Sequence, residues 1–411
     1  MDADGGIVKT GVGVMKVVNE DVVFLSGVRT PFGAFGGTLK KHSATDLAVV
    51  ASKGALDAAG VSADDIDQVI FGNAQQTSAD AIYLARHVGL RAGVPASSPA
   101  LTLNRLCGSG FQSIVTGAEQ LILGQADVVL AGGTESMSQA PFVARNVRWG
   151  VPFGKKDELA DTLWDSLYDP QADLKMAETA EKLGAKYGIT REQCDEFALR
   201  SQTAYATAES EGKFKDEIVP VPVRKRREEI AFDQDEHPRR DARLEQMTAL
   251  RPVFQKDGLV TAGNASGICD GAAAVVLSTA RIAQERGWKP MARLVAWGIS
   301  GCDPTIMGIG PAPASRKALE AAGLSMGDMD LVEVNEAFAP QYLAVEKELE
   351  LDRDRTNVNG GAIAVGHPLA CTGTRITLHL IHELQRRGGR YGLGTACIGG
   401  GQGITVIVES Q

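Results

Sequence analysis

The sequence has little of what a nucleic-acid-binding, membrane or disulfide-rich protein needs. Its formal net charge is −9, which argues against nucleic acid as the main partner because phosphate binding requires a basic surface. No apolar run reaches the roughly 18 residues that span a bilayer, so no membrane insertion is expected. The six cysteines are scattered without CxxC pairs, a pattern that predicts free thiols in a reducing compartment rather than a disulfide framework.

Two short segments bear on partners and compartment. The one basic run, residues 224–227, is followed by two glutamates. It is interpreted either as a solvated surface strand or loop, or as a local contact to the phosphates of a small ligand. The first twenty residues carry Asp2 and Asp4 and no arginine, unlike a secretory signal or an arginine-rich transit peptide. The sequence therefore predicts a cytoplasmic protein, with the mitochondrial matrix as the alternative.

The chain contains an internal repeat. Its 411 residues are too many for one ordinary hydrophobic core. Residues 55–69 return as 318–332 with nine of fifteen aligned pairs identical, an offset of 318 − 55 = 263. The same offset places 104–110 on 367–373 without a gap. The chain is therefore interpreted as a duplicated unit.

Both copies alternate strand-like and helix-like segments, which favours mixed sheets covered by helices. In the first copy, strands are predicted at 22–25, 68–71 and 127–131, and helices at 45–59 and 110–123. In the second, strands are predicted at 293–296, 331–334, 391–395 and 404–408, and helices at 315–322 and 373–387. Two alike units would pack about a pseudo-twofold axis, and their interface is a natural place for a site.

Only the first copy is interrupted by a long insertion, which holds a helical pattern at 176–212 and a charged stretch at 224–245. A buried strand at 272–278 is predicted to rejoin the first unit. The expected division is an N-terminal core domain 1–137 completed by 267–288, an inserted loop domain 138–266, and a C-terminal core domain 289–411. An insertion this long is typical of a functional element such as a substrate-binding lid.

The first candidate site residue is Cys107, in the segment N-R-L-C-G-S-G. It precedes a predicted helix, where unpaired N–H groups and the helix dipole stabilise a thiolate and lower the pKa of a cysteine from about 8.5. The flanking glycines are interpreted as making room for an incoming electrophile and leaving N–H groups for an oxyanion. The alternative is a small buried hydrophobe in a tight turn.

Two further stretches add candidate side chains. His367 is the counterpart of Asn104 in the repeat, and pseudo-symmetry would bring it towards Cys107 as a base or oxyanion donor, although a lone histidine is often structural. Cys397 ends a strand and is followed by three glycines. Two cysteines in such settings suggest one nucleophile and one acid/base, with a structural disulfide as the alternative. Asn335 and Glu336 follow a strand end, where ligand-facing polar groups lie in α/β sheets.

These blocks together resemble the thiolase family. C-G-S-G, N-E-A-F, G-H-P and C-I-G-G-G occur in the family's order, and the resemblance covers nearly the whole chain from about Val22 to Glu409. Longer stretches such as S-G-C-D-P-T-I-M-G-I-G-P are most similar to 3-ketoacyl-CoA thiolases of the mitochondrial type. The resemblance implies an α/β, thiolase-like five-layer α-β-α-β-α fold of two duplicated domains, with 138–266 as a CoA-binding loop domain, and a homodimer or homotetramer.

The resemblance also implies roles. Cys107 would be the acylated nucleophile, His367 its activator, and Cys397 the acid and base. Asn335 would hold a water that, with His367, binds the thioester oxygen, and the N–H groups of Cys107 and Gly399 would form a second oxyanion hole. The expected contacts to CoA or the acyl chain are Met176, Arg239, Ala262, Ser266 and Phe338.

The implied reaction is the reversible CoA-dependent cleavage of a 3-ketoacyl-CoA to acetyl-CoA and a shortened acyl-CoA, through an acyl-cysteine. CoA would be a co-substrate, with no metal and no permanently bound cofactor. One rival is a ketoacyl synthase-like condensing enzyme, which would carry another base, commonly histidine, in place of Cys397. The other is a thiolase-fold binding or lipid-transfer protein, which would typically lack a catalytic residue.

The sequence departs from the family's pattern at a few positions. Ala370, Cys371 and Thr372 stand where Gly, a small residue and Ser are usual, and they are expected to alter the fit of the acyl chain. Lys175 stands where many biosynthetic thiolases have histidine, which weakens the case for a short-chain biosynthetic enzyme. Arg243 stands where threonine is common.

Overall fold

The computed structural model describes residues 20–156, 158–225 and 228–411, and the backbone of residues 7–9 and 14–16. Helices and strands alternate through both copies, as the sequence predicts. No helix among the described residues is both long enough and apolar enough to cross a bilayer.

The elements that precede the insertion are the strands β1 to β7 and three helices. In chain order they are β1 (Ile7–Lys9), β2 (Val14–Lys16), β3 (Val22–Arg29), β4 (Gly33–Ala34), α1 (Ala44–Ala59), β5 (Gln68–Gly72), α2 (Leu84–Ala92), β6 (Ala100–Leu103), α3 (Ser109–Ile122) and β7 (Val128–Ser136). The insertion contributes β8 (Phe142–Val143), β9 (Ala160–Asp161), α4 (Thr162–Asp165), β10 (Tyr168–Asp169), β11 (Leu174–Lys175), α5 (Met176–Lys186), α6 (Arg191–Ser210), β12 (Val221–Lys225), β13 (Glu228–Phe232) and α7 (Leu244–Thr248).

The remaining elements complete the first copy and form the second. They are β14 (Cys269–Thr279), α8 (Ala280–Arg286), β15 (Ala292–Gly301), α9 (Pro311–Ala322), β16 (Leu331–Val334), α10 (Ala339–Leu349), α11 (Ala362–Val365), α12 (Thr372–Arg387), β17 (Tyr391–Ile398) and β18 (Gln402–Ser410). The repeat spacing is preserved, because α3 and α12 begin 372 − 109 = 263 residues apart. The pairs β5/β16 and β7/β17 begin at the same separation.

The two copies supply the two halves of one sheet. Its order is β16-β17-β18-β15-β3-β14-β7-β5-β6, with β4 paired to β14. β5 runs parallel to β6 and β7, and β16 runs parallel to β17. Among the described strands, the halves are joined only where 22–24 of β3 pair with 292–294 of β15, so each half can face helices on both sides.

Alternate side chains of the strands point into different cores, and this builds the layers. On β14, Ala273, Val275 and Leu277 pack with residues of α3 and α12, whereas Ala272 and Val276 pack with α1 and α2. A third core joins α9 and α10 to β16, β17 and β18. The order is therefore outer helices, half-sheet, central helices, half-sheet and outer helices, which confirms the five-layer α-β-α-β-α prediction.

The insertion differs from its prediction in one respect. The helical pattern at 176–212 is two helices, α5 and α6, rather than one. The chain turns at Gly188, whose φ is +61°, and α6 restarts with Thr190 as its N-cap, since the Thr190 hydroxyl accepts from the N–H of Gln193. The helical spacing of apolar residues in the sequence continues across the break, because both helices bury one apolar face.

The charged stretch forms a surface hairpin where it is described. β12 pairs antiparallel with β13, and Arg224, Lys225, Glu228 and Glu229 are exposed. Residues 226 and 227 of the basic run lie outside the described residues. The exposed hairpin agrees with the interpretation of the basic run as a solvated surface strand.

Candidate active site

Cys107 lies in a strained turn at the start of the central helix α3. The residue before it, Leu106, has a φ of +47°, a left-handed conformation that costs a side-chain-bearing residue about 1 kcal/mol or more. The Ser109 hydroxyl stabilises the turn, because it donates to the carbonyl of Leu106 at 2.7 Å and accepts from the N–H of Arg105 at 2.8 Å. The turn leaves Cys107 half-buried beside the body of the protein.

The glycines that flank Cys107 serve a different purpose from the predicted one. A Cβ on Gly108 would lie 2.5 Å from Cδ1 of Ile398, and one on Gly110 would lie 2.6 Å from the carbonyl oxygen of Ala370. Both glycines therefore allow the second copy to pack closely against the turn. The expectation that they make room for the substrate is wrong, because that space is filled by the protein itself.

The ionisation of Cys107 also differs from the prediction. Burial, assisted by the carboxylate of Glu135, raises the pKa of the thiol to about 11 rather than lowering it. Hydrogen bonds from two backbone N–H groups, those of Gly399 and of Cys107 itself, act in the opposite direction. Desolvation exceeds their effect, so Cys107 at rest is a neutral thiol and would need a base in order to attack as a thiolate.

His367 is held in one tautomer by its neighbours. The Thr372 hydroxyl donates to the carbonyl of Pro368 at 3.0 Å, so it accepts from Nδ1–H of His367, which lies 2.6 Å away. Nε2 therefore carries the lone pair, and the side-chain amide Nδ2 of Asn335 lies 3.3 Å from it. Burial, with the nearby charge of Arg375, lowers the pKa of His367 to about 3, so the imidazole is neutral and can accept a proton.

The backbone before His367 requires glycine. Gly366 has a φ of +103°, and a Cβ there would lie 2.1 Å from Sγ of Cys269. The N–H of His367 donates to the carbonyl of Gly267 at 2.9 Å. These two constraints fix where the imidazole enters the site.

Cys397 and Asn335 stand at the ends of neighbouring parallel strands, β17 and β16. Both are buried, and the N–H of Asn335 donates to the carbonyl of Thr395 at 2.9 Å. Burial, then the sulfurs of Cys107 and Cys302, raise the pKa of Cys397 well above its ordinary value. Oδ1 of Asn335 is buried without a hydrogen-bond partner among the described residues, so it can accept from a ligand or water.

One cavity of about 180 Å³ brings these groups together. Its lining includes Cys107, His367 and Cys397, three groups that the sequence places far apart. Three of the predicted CoA or acyl contacts also line it: Met176, Ser266 and Phe338. Ala262 and Arg239 are exposed and do not line the cavity. Asn335 and Gly399 adjoin it through His367 and Cys107.

The insertion builds much of the cavity wall. Trp164, Lys175 and Phe254 line it, with the rings of Trp164 and Phe254 stacked at 6.4 Å and Nζ of Lys175 5.7 Å from the Trp164 ring centroid. Across the cavity, the N–H of Ser266 donates to the carbonyl of Ala337 at 3.0 Å. Sequence reasoning missed Trp164 and Phe254, because a single aromatic residue in a long insertion carries no pattern.

Of the departures in the sequence, none of Ala370, Cys371 and Thr372 lines the cavity; all three are buried. They therefore have no direct contact with this cavity through which to alter the acyl fit, and Leu369 is the residue of that segment that lines it. Thr372 instead orients His367. Cys371 packs in the central core. Arg243 precedes α7, and its N–H donates to Gln246 at 3.0 Å, which does not explain the arginine side chain.

Two thiols and a neutral imidazole in one largely apolar cavity define a site for thiol-based acyl transfer. The similarity of the chain to known protein families agrees with this chemistry. Residues 22–281 match the thiolase N-terminal domain, and residues 288–410 match the thiolase C-terminal domain. The chain therefore belongs to the thiolase family.

Individual relatives resemble the chain over nearly its whole length. The human mitochondrial 3-ketoacyl-CoA thiolase is 57% identical over 389 residues, which cover 95% of this chain and 98% of that protein. A crystal structure of that human enzyme in complex with CoA superposes with a TM-score of 0.94 and covers 95% of this chain and 98% of that chain. The beta-ketothiolase BktB of Cupriavidus necator is 49% identical, over 95% of this chain and 100% of that protein.

Proposed function

We propose that this protein is an acetyl-CoA C-acyltransferase, a 3-ketoacyl-CoA thiolase that cleaves its substrate with CoA and also runs in the condensing direction. The observation that carries the proposal is the single cavity in which Cys107, His367 and Cys397 meet. Its mostly apolar lining suits an acyl chain and the pantetheine arm of CoA. The thiolase names of the relatives, and the CoA complex of the human enzyme, support the same activity.

In the first half-reaction, Nε2 of His367 takes the proton of the Cys107 thiol, and the sulfur attacks the 3-keto carbon. The C2–C3 bond then breaks, its electron pair passes to acetyl-CoA as an enolate, and the acyl group remains on Cys107. Cys397, a neutral thiol at rest, gives its proton to the enolate carbon. A thiol whose pKa is raised by burial suits this role because it stays protonated until the carbanion forms.

In the second half-reaction, the Cys397 thiolate accepts the proton of a CoA thiol, and the CoA sulfur attacks the acyl-cysteine. Cys107 is expelled as a thiolate and regains its proton from the His367 imidazolium, which restores both thiols and the neutral imidazole, so each catalytic cycle conserves protons. The two N–H groups that contact the Cys107 sulfur, its own and that of Gly399, are proposed to hold the oxyanion of the acyl-cysteine. His367 and a water oriented by Oδ1 of Asn335 are proposed to hold the thioester oxygen.

CoA is proposed as a co-substrate that enters past the insertion, residues 138–266. Met176, Ser266 and Phe338, which line the cavity, would contact the pantetheine or acyl part. The exposed Ala262 and Arg239 would contact parts of CoA outside the cavity. In the proposed division into domains, residues 1–137 and 267–288 form the N-terminal core domain. Residues 289–411 form the C-terminal core domain.

The assembly and compartment are also proposals. A homodimer or homotetramer is proposed from the family resemblance. The free state of all six cysteines supports a reducing compartment. We propose the cytoplasm, with the mitochondrial matrix as the alternative because several relatives carry mitochondrial names.

The experiment that tests the function is thiolysis by the purified protein. Acetoacetyl-CoA and a medium-chain 3-ketoacyl-CoA are each incubated with CoA, and loss of the 3-keto species is followed with formation of acetyl-CoA. The proposal predicts turnover of at least one substrate and ranks the two chain lengths by kcat/KM. No thiolysis of either substrate would contradict it and leave a binding protein on a thiolase scaffold.

A further inference from the structure

A buried carboxylate outside the proposed chemistry joins the two halves of the site. Glu135, on β7, is fully buried. One oxygen accepts from the N–H of Gln75 at 2.8 Å and from the side chain of Asn73 at 2.9 Å. The other accepts from the N–H of Ala370 at 3.0 Å and from the N–H of Ala74 at 3.2 Å. Every acceptor position of the carboxylate is used.

The two segments that Glu135 holds lead to the two catalytic partners. On one side, the carbonyl of Ala74 accepts from the side chain of Asn104 at 3.2 Å, and Asn104 in turn accepts from the N–H of Leu106 at 2.8 Å. This chain of contacts ends at the strained turn that carries Cys107. On the other side, Ala370 lies between His367 and Thr372, so a shift of Ala370 moves the imidazole and its partner together.

We propose that Glu135 is a positioning residue for the reaction, which fixes the turn that carries Cys107 relative to the loop that carries His367. The two loops belong to different copies of the repeat, and Ala370 is the counterpart of Cys107 at the spacing of 263 residues (370 − 107 = 263). A proton transfer between sulfur and imidazole depends steeply on their separation. A fourfold hydrogen-bonded carboxylate supplies the required rigidity.

The charge of Glu135 has a second effect. Burial raises the pKa of Glu135 to about 7, with nearby Asp270 acting in the same direction, so the carboxylate ionises near neutral pH. Its negative charge opposes ionisation of Cys107 and of Cys371. The other titratable groups that line the cavity with Cys107 are Cys397 on β17, His367 before α12 and Lys175 on β11. Cys397 and His367 are neutral at rest. Above about pH 7, the charge of Glu135 therefore adds to the burial that keeps the Cys107 thiol protonated.

Two substitutions test the position and the charge of Glu135. Glu135→Gln loses the charge and replaces one accepting oxygen with an amide nitrogen that cannot accept, whereas Glu135→Asp keeps the charge and shortens the reach to Ala370. Both are expected to lower kcat at least about tenfold with KM changed less than about threefold. Only Glu135→Gln is expected to speed alkylation of Cys107 by iodoacetamide, by about threefold or more at pH ~8.5, with no difference from wild type at pH ~5.5.

The matched control is Glu181→Gln, another buried carboxylate that accepts from backbone N–H groups, those of Leu259 and Val260. It is expected to leave the alkylation profile of Cys107 unchanged. If Glu135→Gln does not fold, Asn73→Ala removes one of the four donors, and an intermediate loss of kcat is expected. Wild-type kcat in the folded variants, or an alkylation ratio that does not vary with pH, would overturn the proposal.

The inference rests on the proposed thiolase activity, and the two can fail separately. Absence of thiolysis by the wild-type enzyme would overturn the proposed function. Peptide mapping of alkylated Cys107 requires no turnover, so it still tests the electrostatic effect of Glu135.

Discussion

Nδ1 of His367 and Oγ1 of Thr372 lie 2.6 Å apart, and this hydrogen bond sets which imidazole nitrogen is free to act as a base. The Thr372 hydroxyl is committed as a donor to Pro368, so it serves His367 only as an acceptor. Threonine therefore supplies at this position what a serine hydroxyl would supply. The methyl group of Thr372 is buried and does not reach the cavity.

Thr372→Val should lower kcat while leaving the fold intact. The substitution removes the acceptor for Nδ1–H, so the imidazole loses its fixed tautomer and orientation. We expect kcat to fall by about tenfold to a hundredfold. This is part of the rate acceleration of about 10²- to 10⁴-fold that a correctly positioned general base supplies. Steady-state thiolysis is the measurement, and Thr372→Ser should retain activity. The control is Thr377→Val, which removes a buried hydroxyl that donates to the carbonyl of Gly373 within α12. Equal activity in both valine variants would contradict the role of Thr372.

The neutral state of His367 predicts an acid-dependent loss of stability. The pKa of His367 is lowered to about 3 in the folded protein, against about 6.5 in the unfolded chain. Between these values the unfolded chain binds a proton that the folded protein does not, so stability falls as pH decreases, by up to about 1.4 kcal/mol per pH unit.

Denaturant unfolding at several pH values between about 4 and 6.5 tests this effect. In His367→Gln, the free energy of unfolding should fall less steeply with decreasing pH than in the wild type. Parallel curves for the two proteins would show that His367 is not held neutral by burial.

Met137→Ala should shift the preference towards longer acyl chains. Met137 lines the cavity and packs with Leu163, Leu369 and Cys107, so truncation extends the space beside Cys107. The ratio of kcat/KM for a long-chain to a short-chain 3-ketoacyl-CoA should rise several-fold. Met329→Ala removes an equally buried side chain in another core. Met329→Ala should lose about 2–5 kcal/mol of stability without changing the ratio of kcat/KM values. An unchanged ratio in Met137→Ala would show that Met137 does not contact the acyl chain.

The insertion is tied to both copies by a buried ionic cluster. Glu217 accepts from Nε of Arg29 on β3 at 2.8 Å and lies 2.8 Å from Nδ1 of His379 on α12. The nearby charges of His379 and Arg29 outweigh burial and hold the pKa of Glu217 well below its usual value. The stabilisation that Glu217 contributes to the folded protein is therefore present above the pKa of a glutamate in the unfolded chain, about 4.3, and is lost as pH falls below that value.

Glu217→Gln should destabilise the protein by about 3–5 kcal/mol, because it leaves the buried guanidinium of Arg29 incompletely paired. Glu285→Gln, which breaks the exposed pair with Arg281, is the matched control and should cost less than about 1 kcal/mol. Thermal or denaturant unfolding measures both. Similar losses in the two variants would show that the cluster does not anchor the insertion.

The sequence was most informative where local pattern and packing agree. The strand at Leu331–Val334 was predicted with its observed bounds, and the repeat placed Cys107 and His367 in equivalent turns. Burial-dependent properties could not be predicted, because they arise from remote segments. The high pKa of Cys107 depends on its burial and, to a lesser extent, on Glu135, and the cavity wall depends on Trp164 in the insertion. An acidic residue inside the apolar run V-V-L-A-G-G-T-E-S was a signal for Glu135 that sequence reasoning did not use.

The assignment of Cys107 as nucleophile and Cys397 as acid/base is tested most directly by trapping the acyl-enzyme. Cys397→Ala is incubated with acetyl-CoA, the acetylated cysteine is located by peptide mass spectrometry, and thiolysis is measured in parallel. Cys194→Ala, which removes a buried thiol of α6 outside the cavity, is the control. The account predicts acetylation of Cys107 with loss of turnover in Cys397→Ala and normal turnover in Cys194→Ala. Acetylation of a different residue, or undiminished turnover without Cys397, would contradict it.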